Sequence, residues 1–419
     1  MVIIHQYCVA LVALSALQLL CHGARGAEHS STTDHQGFVR TSGIHFLLNG
    51  RPFYINGFNA YWLMLVASDP AQREKVSSTF QQASSHGLNV VRTWAFSDGG
   101  SNHALQTSPG VYNEQMFVGL DFVISEAKKH GLYVILSLVN NYNEFGGRAQ
   151  YVQWGRQHGQ SALSSDDDFY RNDLVKGYYK SHVKTILTRM NTMTGTTYMN
   201  EPTILAWELM NEPHCLSDLS GSTLQSWIRE MAGHVKFIDK NHLLEIGLEG
   251  FYGESVPSRK QFNPSNEIGT DFLNNNRLPD IDFATIHAYP DHWMPGSSVQ
   301  AQTSFTNKWM TSHVEDAGGV LRKPLMLMEF GKSSRASGYN VAERDAFFSL
   351  VYDAIYSSAR GQGAFAGGLF WQLLVDGMEN LWDGYEVIFS QSPSTASLIW
   401  LQSRRISALN RSSPGLPGQ

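Results

Sequence analysis

The sequence predicts an α/β fold of the (β/α)8 TIM-barrel class, built as one domain with extended loops after its strands. Short apolar runs alternate with segments of helical periodicity over residues 37–409, and about eight such pairs are present. The length of 419 residues lies within the range of single β/α barrels that carry insertions. No Gly-x-Gly-x-x-Gly motif follows a predicted strand, so an open nucleotide-binding sheet lacks its phosphate-binding turn.

The predicted strands are apolar runs that end in polar or aromatic residues. They span residues 52–58, 88–94, 133–138, 204–210, 243–246, 282–286, 325–328 and 367–370. The predicted helices repeat apolar residues at helical spacing, and the first two end at Gly87 and Gly131. They span residues 71–86, 114–130, 173–190, 222–238, 305–317 and 341–358. Long loops are predicted over residues 140–154 and 247–277.

The two ends of the chain are expected to lie outside the barrel. An apolar run over residues 9–20 precedes the small-residue stretch 21–27. It is shorter than the ~20 apolar residues of a membrane-spanning helix and resembles a secretory h-region with its cleavage zone. We predict a cleaved signal peptide over 1–26, with an uncleaved anchor as the alternative, and a disordered segment over 27–36. The barrel domain then covers 37–409 and a flexible tail 410–419, which implies a secreted protein without a membrane segment after cleavage.

Composition excludes several classes of protein. A hydrophobic content of 42% and a charged content of 16% are typical of globular chains and not of disordered ones. The formal net charge of -6, without a Lys/Arg cluster, makes nucleic acid an unsuitable partner. Cys8 and Cys21 lie in or beside the leader, which leaves Cys215 alone in the mature chain. We therefore expect no internal disulfide and a stability that depends on the core.

The triplet Asn-Glu-Pro occurs twice, at 200–202 before the fourth predicted strand and at 211–213 after it. In a β/α barrel the carboxyl ends of the strands carry the chemistry and the amino ends serve stability. The sequence therefore predicts a structural Glu201 and a catalytic Glu212. Glu208, inside the strand, is predicted to be a hydrogen-bonded carboxylate in the barrel interior.

A second carboxylate, Glu329, ends the seventh predicted strand and is expected on the same rim as Glu212. Cleavage of a glycosidic bond requires such a pair, one carboxyl to protonate the leaving oxygen and one carboxylate to attack the sugar or activate water. Either residue alone would also suit a salt bridge on the rim. The sequence leaves open whether the configuration of the sugar is retained or inverted, because that depends on the carboxyl separation.

Further side chains at strand ends fit this chemistry. Arg92 is expected to hold ionised Glu329, either for catalysis or as a buried ion pair, and Asn211 to bond a sugar hydroxyl. His287 and Tyr289 share one face of the sixth strand and are expected to orient the carboxylates. Trp371 suits a flat floor for a pyranose ring or a core position. No metal-ligand spacing such as His-Glu-x-x-His occurs, so no metal or other cofactor is predicted.

Six motifs together resemble glycoside hydrolase family 5, and within it the plant endo-β-1,4-mannanases. They are Val-Arg-Thr-Trp at 91–94, Leu-Val-Asn-Asn-Tyr at 138–142, Phe-Gly-Gly-Arg-Ala-Gln-Tyr at 145–151, Trp-Glu-Leu-Met-Asn-Glu-Pro at 207–213, His-Ala-Tyr-Pro at 287–290 and Met-Glu-Phe-Gly at 328–331. The likeness runs from about residue 37 to residue 405. One departure is the Asn-Glu-Pro at 200–202, where the family tends to have Asn-Asp-Pro, and it touches no catalytic position.

The resemblance implies a retaining mechanism, with Glu212 as acid/base and Glu329 as the nucleophile of a covalent mannosyl-enzyme. It implies substrate contacts from four residues and support of the carboxylates from two more. The substrate contacts are Trp94, Asn211, Tyr289 and Trp371, and the supporting residues are Arg92 and His287. The implied protein is a secreted, monomeric enzyme without a cofactor that hydrolyses internal bonds in the mannan, glucomannan and galactomannan of cell walls.

The sequence leaves three alternatives open. An endo-β-1,4-glucanase of the same fold differs only in loop contacts to the sugar. A non-catalytic polysaccharide-binding protein would keep the cleft without cleaving its ligand. Transglycosylation, in which another sugar replaces water at the intermediate, would use the same residues as hydrolysis.

Overall fold

The computed structural model describes residues 37–100, 103–265 and 267–412. The predicted signal peptide over 1–26 and the predicted disordered segment over 27–36 lie outside these ranges. Among the described helices, none combines the length and the apolar character needed to cross a membrane.

Eight parallel strands form the central sheet, which confirms the predicted (β/α)8 class. In chain order, β1 to β8 are Ile55–Asn59, Val90–Trp94, Tyr133–Ser137, Ile204–Glu208, Leu243–Glu245, Ala284–Ala288, Leu325–Phe330 and Phe365–Phe370. The spatial order is β5-β4-β3-β2-β1-β8-β7-β6. Backbone bonds from Asp282 to Leu244 (2.8 Å) and from His287 to Glu249 (2.9 Å) join β6 to the chain of β5, which nearly closes the barrel.

Every residue of the eight strands is buried, because the helices cover the outside of the sheet and side chains fill its inside. Successive side chains alternate between these two environments. In β2, Val91 packs in the large cluster between sheet and helices, whereas Val90 belongs to a smaller cluster. Val90 shares its face with Arg92, so the apolar interior of the barrel changes to a polar one toward the carboxyl ends of the strands.

Seven long helices lie around the sheet in the described part of the chain, and the first six follow the predicted alternation. They are Arg73–Ser85, Glu114–Lys129, Asp173–Thr188, Ser222–Ile238, Val299–Asp316, Val341–Arg360 and Pro393–Ser412. Side-chain oxygens of Asn113, Asn172, Ser298 and Asn340 accept backbone N–H groups at the starts of four of them. Such caps satisfy donors that the first helical turn leaves unpaired. They explain why these helices begin where they do.

Short elements fill the connections. The helices Leu63–Ser68, Gly147–Gln157, Phe272–Asn276 and Pro290–Trp293 lie in loops that follow strands. Small antiparallel sheets pair Arg40–Ser42, His45–Leu48 and Arg51–Pro52, and Gln106–Ser108 with Val111–Tyr112. The prediction of a continuous loop over 140–154 was wrong, because the helix Gly147–Gln157 begins within it. Its Tyr151 and Trp154 are buried, and this packing stabilises a helix that the polar sequence does not suggest.

The C-terminal helix Pro393–Ser412 was not predicted. It includes 410–412, the first three residues of the segment assigned to a flexible tail, and residues 413–419 lie outside the described ranges. Oδ1 of Asn410 accepts a 3.0 Å hydrogen bond from the N–H of Tyr54, which precedes β1. This helix therefore packs on the part of the barrel where the sheet begins.

Glu201 precedes β4 at the amino end of the barrel. Its buried carboxylate accepts the backbone N–H of Thr203 (3.1 Å) and its hydroxyl (2.8 Å), and pairs with Lys128 at 3.2 Å. These contacts tie the entrance of β4 to the neighbouring helix Glu114–Lys129. The first Asn-Glu-Pro triplet thus has the structural role that its position predicts.

Candidate active site

Glu212 and Glu329 meet at the carboxyl end of the barrel. Glu329 lies in β7, and Glu212 follows β4 by four residues. One oxygen of each, together with a ring nitrogen of His287 from β6, lie within 4.8 Å of one another. The side chain of Glu212 is 13% exposed and that of Glu329 5%, so both reach a cleft from a largely buried base.

Arg92 lies beneath Glu212 and Glu329 and is held by hydrogen bonds to several acceptors. Nε and Nη2 donate to the two oxygens of Glu208 at 2.6 and 2.8 Å. Nη1 donates to Glu329 at 2.5 Å and to Asn59 at 3.0 Å, and Nη2 also donates to Asn211 at 2.7 Å. All five N–H groups of the guanidinium therefore have acceptors, which fixes its plane and its distance from Glu329.

Glu329 is surrounded by groups that favour its ionised form. Oε1 accepts from Arg92, and Oε2 accepts the hydroxyl of Tyr289 at 2.6 Å. Burial and the charge of Glu212 raise the pKa of Glu329 overall, although the charges of His287 and Arg92 and the hydrogen bond from Tyr289 act in the opposite direction. The contacts with Arg92 and Tyr289 hold the carboxyl group of Glu329 rigidly in a buried position.

Glu212 is held by its backbone as well as by its side chain. It adopts a left-handed conformation with φ of 50°, and its N–H donates to the carbonyl of Gly247 at 3.0 Å. Such a conformation is uncommon outside glycine and turns the side chain sharply out of the strand direction. Nδ1 of His287 lies 2.6 Å from Oε1 of Glu212.

His287 is fully buried between the two carboxylates. Burial lowers its pKa, but the charges of Glu329 and Glu212 outweigh that effect and raise the pKa of His287 overall. Nε2 has no hydrogen-bond partner within the described residues, so the hydrogen bond between Nδ1 and Glu212 is the one that this ring makes. His287 is therefore placed to respond to changes in the proton on Glu212.

Aromatic rings line the cleft above these groups, which has a volume of about 670 Å³. Tyr61 stacks on Trp371 with centroids 5.8 Å apart and an interplanar angle of 11°. The indole N–H of Trp371 donates to Asp383 at 2.6 Å, and Trp94 lies 4.7 Å from the Arg92 guanidinium. Flat rings fixed in this way present apolar faces of the kind that sugar rings pack against.

The donor atoms of Glu212, His287 and Glu329 also have a spacing that a metal ion would accept, although the sequence shows no metal motif. Their existing contacts favour proton chemistry. The guanidinium of Arg92 lies 2.5 Å from Glu329 and would repel a cation, while His287 already directs a nitrogen at Glu212. The arrangement is suited to a pair of carboxyl groups with different protonation states.

Comparison with known proteins also indicates a glycoside hydrolase. Residues 36–380 match the model of the family described as GH family 5 beta-mannosidase-like. The chain is 58% identical over 403 residues to mannan endo-1,4-beta-mannosidase 1 of Oryza sativa subsp. japonica, covering 96% of this chain and 93% of that protein. It is 59% identical over 375 residues to mannan endo-1,4-beta-mannosidase 7 of Arabidopsis thaliana, covering 90% and 86%.

This chain belongs to the β-mannosidase-like group of glycoside hydrolase family 5. Among solved structures, it is similar to the endo-beta-1,4-mannanase of Thermotoga petrophila, with a TM-score of 0.74, 31% identity, and coverage of 88% of this chain and 79% of that one. The endo-1,4-beta-mannanase of Rhizomucor miehei gives a TM-score of 0.73 at 30% identity, covering 90% and 100%. The family resemblance seen in the sequence is thus confirmed.

The fold brings the predicted residues of this family 5 member to one place. Four of them line the cleft beside the two glutamates: Trp94, Asn211, Tyr289 and Trp371. Arg92 and His287 lie behind the pair. Asn211 makes more hydrogen bonds within the protein than predicted. Its amide oxygen accepts from Arg92, and its amide nitrogen donates to Asn140 at 3.0 Å. One N–H of Asn211 therefore remains for a sugar hydroxyl.

Several residues of the site were missed by sequence reasoning. They are Asn59, Tyr61, Asn140, Tyr142, His214, Glu249, Asp383 and Tyr385. Asn59 ends β1 and Asn140 follows β3, so position at a strand end was a usable signal for these two. Asp383 lies in the loop after β8, far from any motif, and only the fold shows that it anchors Trp371.

Proposed function

We propose that this protein is a retaining endo-β-1,4-mannanase in which Glu212 is the acid/base and Glu329 the nucleophile. The observation that carries this proposal is the difference between the surroundings of the two carboxyl groups. Glu329 receives hydrogen bonds from Arg92 and Tyr289, both suited to an anion. Glu212 faces the cleft with His287 beside it, where a proton can be gained and lost.

The mechanism has two displacements. In the first, a carboxylate oxygen of Glu329 attacks the anomeric carbon, the glycosidic C–O bond breaks, and the proton of Glu212 passes to the departing oxygen. In the second, the carboxylate of Glu212 removes a proton from water, whose oxygen attacks the same carbon and displaces Glu329. Both residues are then in their starting states.

Close approach of the two glutamates favours retention of configuration. Retaining glycosidases place their carboxyl groups about 5 to 5.5 Å apart, and inverting ones about 6.5 to 9.5 Å. In this cleft, a carboxyl oxygen of Glu212 lies within 4.8 Å of a carboxyl oxygen of Glu329. This upper bound on one oxygen–oxygen distance agrees with the shorter, retaining separation.

The choice of mannan follows from the relatives. The plant proteins of 58% and 59% identity are named mannan endo-1,4-beta-mannosidases, and the Thermotoga petrophila and Rhizomucor miehei structures of about 30% identity are endo-mannanases. We propose linear mannan, glucomannan and galactomannan as substrates. The predicted signal peptide supports secretion to the cell wall and, after cleavage, a protein without membrane attachment. We also propose that the enzyme acts as a monomer.

Digestion of purified polysaccharides tests this proposal. The full-length mature protein should release short oligosaccharides from linear mannan, with an early fall in polymer length that marks internal cleavage. Carboxymethylcellulose should be cut far more slowly, and Glu329→Gln should cut neither. Preferred cleavage of the cellulose derivative would support an endo-glucanase instead. Retention of mannan without any product would support a binding protein.

A further inference from the structure

A second pair of carboxyl groups lies beneath the catalytic pair, inside the barrel. Glu208 in β4 and Glu245 in β5 are register partners on adjacent parallel strands, and both are fully buried. Oε2 of Glu245 accepts the N–H of Gly247. Oε1 of Glu245 has no donor within the part of the chain that the structure describes. A buried acceptor without a donor is costly and calls for an explanation.

Arg92 does not supply the missing donor. All five of its N–H groups already have acceptors, and two of these are the oxygens of Glu208. The charged groups that face the Glu245 carboxyl are Glu208 and Arg92, and Glu208 is also its hydrogen-bonding neighbour. Two ionised carboxylates in this contact would repel each other with no cation left to bridge them.

We propose that Glu245 is a neutral carboxylic acid whose Oε1–H donates to Glu208, and that it acts as a positioning residue for both catalytic glutamates. The proton gives Oε1 a partner and removes the repulsion between the two carboxyl groups. Burial and the charge of Glu208 raise the pKa of Glu245 well above its usual range, in agreement with this assignment. Glu208 keeps its charge, since Arg92 and Glu245 hold its pKa low despite burial.

One series of hydrogen bonds links Glu245 to the nucleophile, Glu329. Glu245 donates to Glu208, and the two oxygens of Glu208 accept from Nε and Nη2 along one edge of Arg92. Arg92 in turn directs Nη1 at Glu329 at 2.5 Å. With Glu208 fixed on both sides, the guanidinium cannot turn in its plane. A loss of the Glu245 hydrogen bond would leave Glu208, and with it Arg92, free to shift relative to Glu329.

A second series of hydrogen bonds links Glu245 to the acid/base, Glu212. Oε2 of Glu245 accepts the N–H of Gly247, and the carbonyl of Gly247 accepts the N–H of Glu212 at 3.0 Å. Glu212 needs such support because its φ of 50° is strained for a residue with a side chain. A single carboxylic acid therefore contacts the supports of both catalytic residues.

The positioning role rests on the proposed function, whereas the protonation state does not. Glutamine reproduces a neutral acid closely, because its amide N–H can donate to Glu208 and its carbonyl can accept from Gly247. We expect Glu245→Gln to keep kcat and KM within about threefold of the wild type. Glu245→Leu is neutral and similar in size but makes neither bond, and we expect kcat to fall by about 10²-fold with KM nearly unchanged.

Infrared difference spectroscopy reads the proton directly and needs no activity. The spectrum of the wild type minus that of Glu245→Gln, both at neutral pH, should show the C=O stretch of a protonated carboxylic acid. This band lies at a higher frequency than the carboxylate stretch. The matched control is Glu201→Gln, which removes a buried carboxylate paired with Lys128 at 3.2 Å and should show only a carboxylate band.

Three results would overturn the proposal. They are a carboxylate band in the Glu245→Gln difference spectrum, a loss of activity in Glu245→Gln as large as in Glu245→Leu, and wild-type kcat in Glu245→Leu. If Glu245→Leu does not fold, Glu245→Asp replaces it, because the shorter acid cannot reach Glu208 and Gly247 together. A wild type that does not cleave mannan would contradict the proposed function and leave the spectroscopic result valid.

Discussion

Glu201 and Glu212 occupy identical Asn-Glu-Pro triplets at opposite ends of β4. Glu201 is fully buried and bonded to Thr203 and Lys128, whereas Glu212 reaches the cleft beside His287. Glu212→Gln should lower kcat on mannan by about 10²- to 10⁴-fold, because the general acid is lost, with an unchanged thermal midpoint. Steady-state kinetics and calorimetry measure these effects.

Glu201→Gln serves as the control for that variant. Its kcat should stay within about twofold of the wild type, while the free energy of unfolding should fall by about 1–3 kcal/mol, because a charged buried hydrogen-bond acceptor is lost. A large loss of kcat in Glu201→Gln, without unfolding, would contradict a purely structural role for Glu201 at the amino end of the barrel.

Tyr289→Phe should change the pH dependence of activity. The hydroxyl of Tyr289 lowers the pKa of Glu329, which must be ionised to attack, so its removal raises that pKa. The acidic limb of kcat/KM should move to higher pH by about one unit, with about a tenfold loss at the optimum. A pH profile from initial rates measures both effects.

Tyr54→Phe is the matched control, because its hydroxyl bonds the carbonyl of Ala359 at 3.1 Å, away from the cleft. Its pH profile should match that of the wild type. An acidic limb that does not move in Tyr289→Phe would mean that Glu329 is not the ionising group.

Arg92→Lys should lower kcat/KM by about 10²- to 10³-fold. A lysine can direct one point charge at Glu208 or Glu329 but cannot replace the bidentate contact or the five fixed donors. Arg189→Lys is the control, since Arg189 pairs with Glu114 and Asp121 outside the cleft and should affect stability alone. Near-normal kcat/KM in Arg92→Lys would show that the geometry of the guanidinium is unimportant.

Asp239 should contribute to stability in a pH-dependent way. Burial raises its pKa, but His242 and the indole of Trp207 at 2.7 Å hold the pKa of Asp239 below its usual range overall. Because the folded pKa is lower than the unfolded one of about 3.9, this stability is present above pH ~4 and is lost as the pH falls through the folded pKa.

The variant Asp239→Asn should therefore lower the free energy of unfolding by about 1–3 kcal/mol at neutral pH, with a smaller deficit at acidic pH. Denaturant titrations at several pH values measure this difference. The exposed Asp353, which pairs with Arg405, is the control, and Asp353→Asn should stay within about 0.5 kcal/mol. A stability deficit of Asp239→Asn that grew on acidification would contradict a lowered pKa of Asp239 in the folded protein.

Trp371→Ala should weaken substrate binding, because the stacked floor of the cleft is removed. We expect kcat/KM on manno-oligosaccharides to fall by about 10- to 100-fold, mostly through KM. Trp400, which is 39% exposed on the C-terminal helix, provides the control variant Trp400→Ala with unchanged kinetics. An unchanged KM in Trp371→Ala would place the substrate elsewhere.

The barrel and the meeting of Glu212 with Glu329 were predictable from the sequence because both depend on local patterns. Strands buried on both faces appear as continuous apolar runs, and a carboxylate directly after such a run lies at the carboxyl end of the sheet. Glu212 and Glu329 satisfy this condition independently of each other. Their separation, which bears on retention, comes from the closure of the barrel and has no sequence signal.

The remaining parts of the site depend on register and on long-range packing. Glu245 lies beside Glu208 only because β4 and β5 pair in one particular register. Asp383 contacts Trp371 across a loop, and the helix Gly147–Gln157 forms because Tyr151 and Trp154 are buried. None of these relations can be inferred from residues that are close in the chain.

Azide rescue of alanine variants tests the assignment of the two glutamates most directly. With an aryl β-mannobioside and added azide, Glu329→Ala should regain activity and form the α-glycosyl azide, because azide takes the place of the nucleophile. Glu212→Ala should instead give the β-glycosyl azide, because azide attacks the intermediate on Glu329 in place of water. The reverse stereochemistry, or no azide adduct from Glu329→Ala, would contradict the account.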